Sequence, residues 1–152
     1  MPRAFGQSQI HVSEVAAIVE NHVPLIEAGV AEPSPEGRAI GALVAPMVPN
    51  GATIQLGIGK IPSGVAMALE KHSDLGIHTE LFSPAMADLV QKGVITGARK
   101  TLHPGKHVFT VAFGTTESYA FMNDNSAFES YASSYVNDIR TIAQHDDFIS
   151  VN

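Results

Sequence analysis

The chain has 152 residues, 45% of them hydrophobic and only 16% charged, and no cysteine. This is the usual size of one globular domain, and the apolar content suffices for a core and argues against intrinsic disorder. Nine Lys and Arg against fifteen Asp and Glu leave a formal net charge of −6, which speaks against affinity for nucleic acid phosphates, while the missing cysteine excludes disulfides, thiolate metal sites and a cysteine nucleophile.

No apolar run approaches the roughly 18–20 residues that cross a bilayer, and the opening Met1-Pro2-Arg3-Ala4-Phe5-Gly6-Gln7-Ser8 lacks the apolar segment of a secretory signal. The sequence therefore reads as soluble and cytoplasmic. Internal repeats and low-complexity tracts are absent, and the Pro-rich stretches 32–35 and 46–51 read as turns between elements.

The first predicted helix opens at Ser13, a good N-cap, with Glu14 in its first turn and Val15, Ile18 and Val19 on one face, and stops before Pro24. A second follows Ser34 with Pro35 at its first position, and Ile40, Leu43, Val44 and Met47 recur at the spacing of a buried stripe. After the Asn50-Gly51 turn, residues 52–57 read as a strand, Gly57-Ile58-Gly59 as a loop, and Pro62 as the opening of a helix that buries Val65, Ala66 and Leu69.

Residues 76–82 form the next predicted strand. Ser83 as N-cap, Pro84 in the first turn, Met86, Leu89 and Val90 on the face and Gly93 as terminator mark the helix after it. Farther on, 94–96 and 106–114 read as strands, 115–123 as a helix, Asn137 as the cap of a helix carrying Ile139, Ile142 and Ala143, and 148–152 as a strand. Strands alternating with helices predict an α/β fold, a mostly parallel sheet with flanking helices.

Two features carry chemistry. Glycines 57 and 59 follow a strand and precede a helix, so backbone N–H groups and the helix N-terminus can approach an anion. A plain tight turn explains the same residues, and with Ile61 and Pro62 where a third glycine is needed this is neither the dinucleotide fingerprint nor a Walker loop. Glu80 lies near a strand end that precedes a helix, where parallel sheets hold their ligand crevices, and a carboxylate there is a candidate base or nucleophile as well as an ordinary solvated rim residue. The histidines show no metal-binding spacing and read as surface or hydrogen-bonded structural residues, and Ser63 and Ser83 are explained as helix starts.

The ordered blocks Gln55-Leu56-Gly57-Ile58-Gly59-x-Ile61-Pro62, residues 75–83 around His78-Thr79-Glu80, residues 92–96, Lys100-Thr101-Leu102-His103-Pro104-Gly105-Lys106 and Tyr135-Val136-Asn137-Asp138 resemble the acetyl-CoA hydrolase/transferase family. Within it they are similar to the 4-hydroxybutyrate CoA-transferase group and related short-chain acyl-CoA:carboxylate transferases. The resemblance runs over essentially the whole chain. It implies a CoA-transferase (NagB/RpiA-like) domain over 1–152 in which Glu80 takes the CoA thioester covalently, and in which Gly57, Ile58, Gly59, Lys60 and Ile61 contact CoA and turn backbone amides to the reacting carbonyl. The implied ligands are coenzyme A, as substrate and covalent intermediate, and a short-chain carboxylate, with no metal and assembly as a homo-oligomer. Hydrolysis of acetyl-CoA, or CoA or nucleotide binding without turnover, are the alternatives.

Some residues depart from the family pattern. Pro84-Ala85-Met86 stand where an Asp-Gly pair is expected, Lys60 where a small residue is commoner, and Ile139 where a proline is usual. Family members are also considerably longer, which leads to the expectation of an incomplete domain, truncated at both ends and inactive or very weak alone.

Overall fold

The computed structural model describes residues 1–29 and 31–152. Six strands, β1 (Phe5–Gly6), β2 (Thr53–Leu56), β3 (Gly76–Phe82), β4 (His107–Ala112), β5 (Phe128–Ser130) and β6 (Phe148–Val151), form one sheet in the order β1-β5-β4-β3-β2-β6. Every pair is parallel. The helices are α1 (Pro35–Val44), α2 (Lys60–Ala68), α3 (Pro84–Gln91), α4 (Thr116–Met122), α5 (Ser133–Val136) and α6 (Ile139–Ile142). From β2 to β5 the chain steps across the sheet in one direction, so right-handed crossovers put α2, α3 and α4 on one face, and the long return from β5 to β6 carries α5 and α6 over the other.

Local chemistry fixes most boundaries. Ser34 accepts the Gly37 N–H and starts α1 with Pro35 at its first position; Ser83 and Thr115 cap α3 and α4 in the same way. Gly93 ends α3 with φ +73°, a conformation glycine adopts without strain. The core joins Ile54, Leu56, Val65, Leu69, Leu75, Ile77, Met86 and Leu89 to an aromatic group in which Phe82 and Phe121 meet Phe128 edge-on with ring centroids 5.3 and 5.4 Å away.

The helix expected from Ser13 is not formed. A single 3-10 turn spans Val12–Glu14, capped by His11, and Ile18, Val19 and Val23 stay exposed. A short isolated helix is marginal in water without a surface to receive its apolar face, and none receives this one. α1 has the expected span, but of the expected stripe only Val44 packs against the core: Ile40 is 36% exposed and Leu43 and Met47 are each 75% exposed, while Gly37 and Gly41 are buried against α2. An added Cβ would lie 2.6 Å from the Lys60 carbonyl oxygen at Gly37 and collide with the Gly64 carbonyl at Gly41; at Gly64 it would strike Gly37. The two helices touch through their backbones.

Residues 94–96 give only an isolated bridge, Leu75 to Ile95, and α6 is capped by Asp138, whose carboxylate accepts the Arg140 N–H, rather than by Asn137. β1, β5 and α5 were not anticipated.

The face under α5 and α6 holds a basic cluster. Lys100 is 4% exposed, its stem covers Gly76, and its ammonium donates to the Lys106 carbonyl at 2.7 Å. Burial pulls its pKa from 10.5 to about 7 against the opposing pull of Glu129. Of the histidines expected to be surface or hydrogen-bonded structural residues, His78, His107 and His145 are buried, His78 with a hydrogen bond to the Val136 carbonyl, and burial lowers His107 and His145 from 6.5 to about 4. Both ring nitrogens of His145 lack a hydrogen-bond partner among the described residues.

Gly41→Ala and Gly64→Ala are expected to destabilise the chain by about 1–3 kcal/mol, the usual cost of overpacking, read as a lower urea midpoint. Between pH 6.5 and 4 the unfolded chain binds protons that the folded His107 and His145 refuse, so stability falls with pH through that window. Lys100 gives the same sign between pH 7 and 10.5, where only the unfolded lysine is charged. Thermal midpoints are expected to rise with pH across both windows; His145→Gln should flatten the acid limb and Lys100→Met the alkaline one.

Candidate active site

β3 supplies the central side chain. Its first four residues are buried and Glu80 is the first to emerge. The neighbouring strands β2 and β4 hold β3 in parallel register, and the strand ends at Phe82 directly before the Ser83 cap of α3. Glu80 thus stands at the carboxyl end of an interior strand, on the rim where open α/β sheets bind ligands.

The carboxylate is held. Oε2 of Glu80 accepts a hydrogen bond from Nδ2 of Asn137 at 3.0 Å. Asn137 directly follows α5, whose last residue Val136 is 1% exposed and whose carbonyl accepts from Nε2 of His78 at 2.9 Å. Burial lowers the pKa of His78, the hydrogen bond to the Val136 carbonyl opposes it, and the nearby Lys100 and His103 add to the lowering.

The glycine loop lies at the end of β2. The Gly57 N–H is used in the sheet, donating to the Val151 carbonyl at 2.8 Å. Gly59 has φ +117° and ψ −173°, a region reserved in practice for glycine. α2 begins at the next residue, with Ser63 donating to the Gly59 carbonyl and Pro62 carrying no N–H. The first-turn amides of such a helix point outward without intrahelical partners, at the positive end of its dipole.

Gly57, Ile58 and Gly59 line a cavity of about 250 Å3 whose far side is Leu81, Ser83, Pro84 and Ala85 from the β3–α3 junction, with Phe113 at the end of β4. Among the described residues the only side-chain polar groups on this lining are the hydroxyls of Ser63 and Ser83. Of the residues singled out in the sequence, these three loop residues share the cavity, while Lys60 and Ile61 form the exposed start of α2 outside it. Glu80 is not on the lining either; its neighbour Leu81 is, as alternation along a strand requires, and the carboxylate lies on the α5 side. A larger cavity of about 720 Å3 lies beside β4, under Pro2, Arg3, Leu25 and Ile26.

Among the described residues no group of three or more His, Asp or Glu side chains is arranged to hold a metal, and no helix is long and apolar enough to cross a membrane. Sequence reasoning assigned Asn137 a cap, read His78 with the other histidines as a surface or hydrogen-bonded structural residue, and gave Lys100 no individual role. The signal for Asn137 lay in the block 135–138, which was quoted for the resemblance without a task for any one residue.

The comparisons agree over the whole chain. No family model matches it. It is 43% identical over 152 residues to the 4-hydroxybutyrate coenzyme A transferase of Clostridium kluyveri and 42% identical over 151 residues to the succinyl-CoA:cyclohexane-1-carboxylate CoA transferase of Geobacter metallireducens, covering 100% and 99% of this chain. It spans 35% of the length of each relative. Among solved structures, RipA from Yersinia pestis superimposes with a TM-score of 0.93 at 48% identity, and the 4-hydroxybutyrate CoA-transferase of Porphyromonas gingivalis with 0.95 at 41%; all of this chain is covered, against 36% and 39% of theirs. Sequence and fold together put this chain with the CoA-transferases, as the counterpart of a segment about one third of their length.

Proposed function

We propose that this chain carries the nucleophile of an acyl-CoA:carboxylate CoA-transferase of the 4-hydroxybutyrate/acetate type, with Glu80 as the residue that becomes covalently modified. The observation that carries the reading is the placement of Glu80: an exposed carboxylate at the carboxyl end of an interior strand, oriented by Asn137. One β-strand away lie a glycine loop and a helix N-terminus.

In this mechanism a carboxylate oxygen of Glu80 attacks the thioester carbonyl carbon, the C–S bond breaks, and CoA leaves as the thiolate from a mixed anhydride. The thiolate then attacks the glutamyl carbonyl, releasing the first carboxylate and leaving a glutamyl-CoA thioester. An incoming carboxylate attacks that thioester and the sequence runs in reverse, restoring Glu80. Thioester and anhydride have similar group-transfer potential, so the chemistry asks for a nucleophile and a stabilised oxyanion. The amides around Gly59, Lys60 and Ile61 are suited to bind CoA and the oxyanion, where loss of one donor costs about 2.7–4 kcal/mol of transition-state stabilisation.

Hydrolysis is the second reading, favoured by one observation: Glu80 is open to solvent, and water competes with the carboxylate for the glutamyl thioester. Rates with and without acetate as acceptor separate the two.

Incubation with acyl-CoA followed by hydroxylamine or borohydride trapping is expected to give a modified Glu80 by mass spectrometry, and Glu80→Gln should abolish both the adduct and exchange, a loss on the order of 10^4-fold or more. Exchange without an adduct on Glu80 would overturn the assignment. Asn137→Ala removes a hydrogen bond to a charged group, and kcat is expected to fall about 10- to 100-fold. Homo-oligomeric assembly is checked by light scattering.

A further inference from the structure

Asn137 reaches Glu80 from a segment with little stability of its own. α5 is four residues long, a single turn that tertiary contacts must hold in place. Three contacts do so: Val136 is buried, the Tyr135 hydroxyl meets Nε2 of His103 at 2.7 Å, and Nε2 of His78 donates to the Val136 carbonyl at 2.9 Å. The last of these acts on the residue covalently next to Asn137. It also comes from the strand that carries Glu80, two residues ahead of it, so one short stretch of β3 holds both the carboxylate and the anchor of the group that orients it.

His78 is built for that task. It is 1% exposed, its ring lies 4.7 Å from that of His145 and 6.3 Å from that of Tyr135, and Phe148 closes a further edge at 6.2 Å. A carbonyl only accepts, so Nε2 carries the proton, and Nδ1 has no partner among the described residues. A buried ring with one nitrogen satisfied and the other idle is retained for the bond it makes, since burying an unpaired nitrogen is costly.

We propose that His78 is a positioning residue for Glu80: through the Val136 carbonyl it fixes the end of α5 so that the Asn137 amide meets the Glu80 carboxylate. This rests on the reading of Glu80 as nucleophile for its consequence in turnover, but the linkage itself is a property of the folded chain. The Gln amide nitrogen occupies roughly the place of Nε2 and can keep the bond, whereas that of Asn stops at the place of Nδ1 and cannot.

Long-range 15N–1H spectra at neutral pH are expected to show His78 as the Nε2–H tautomer; the Nδ1–H tautomer would overturn the proposal. In His78→Asn the side-chain amide pair of Asn137 is expected to move to the position it takes in Glu80→Ala, and in His78→Gln to stay at its wild-type position. An unmoved Asn137 pair in a folded His78→Asn chain refutes the linkage; if that variant does not fold, the tautomer and the His78→Gln spectrum still decide. In steady-state exchange, His78→Asn should lower kcat about 10- to 100-fold with KM for the CoA ester unchanged, His78→Gln should recover most of it, and the double variant with Asn137→Ala should be no slower than Asn137→Ala alone. Additive losses would overturn the proposal. Failure to trap any adduct on Glu80 in an intact full-length version, with the Asn137 shifts as expected, would instead sink the transferase reading and leave the linkage standing.

Discussion

Two helix backbones in contact set the geometry of this molecule. Gly37 and Gly41 on α1 face Gly64 on α2 with no side chain between them, and the first point of contact on α2 is the carbonyl of Lys60, the residue with which that helix begins. α1 therefore fixes the open end of α2 as well as its axis. The loop before it has no freedom to drift, because Gly57 is tied on its other side to β6. A larger residue at any of these glycines pushes the helix start, and the amides on it, away from the strand ends they face. Glycine weakens each helix by up to about 1 kcal/mol relative to alanine, and the close approach offsets that loss.

How far the sequence revealed this depends on where the information is local. The bounds of β3 and α3 were legible because a serine cap, a proline and a terminating glycine that follow the strand act on nearest neighbours. The parallel α/β sheet followed from their alternation. The inward face of α1 was misread because apolar periodicity assigns burial to large side chains, and here the burial belongs to glycines whose role exists only against a second helix. Residues 13–23 carry a helical pattern with no surface to pack on, a fact no window of sequence contains. β1 and β5, of two and three residues, are strands only because the sheet edge pairs them. In the site, Glu80 and the glycine loop were candidates from their positions relative to strand ends, beside a solvated rim residue and a plain turn as alternatives, and only the resemblance gave them roles; Asn137 received none there, since its partner is 57 residues away.

Charge is distributed unevenly. A chain with a net charge of −6 buries Lys100, His78 and His145 beside α5 and α6, with Glu129 as the carboxylate near Lys100, while His107, in register with Ile77, packs on Phe128. Glu129 accepts from the Tyr131 hydroxyl at 2.9 Å and faces Nδ1 of His103 at 3.3 Å and the Lys106 ammonium at 3.7 Å. Burial and this carboxylate push the Tyr131 phenol up to about 12. In this polar layer directional hydrogen bonds from His78 and His103 hold α5. Such bonds fix angles as well as distances, which suits a layer that must aim one amide at one carboxylate.

The pairing of β2 with β6 has a kinetic side. Residues 53–56 lie beside residues 148–151, so β2, though formed early in the chain, becomes an interior strand only when nearly all of the rest has been laid down. Closing so long a loop is entropically slow compared with forming the neighbouring helices. The same late event recruits the Gly57 amide and thereby sets the loop at the head of α2. In this topology the glycine loop is among the last parts of the molecule to acquire its shape, and the edge of β2 is open to other strands until it does.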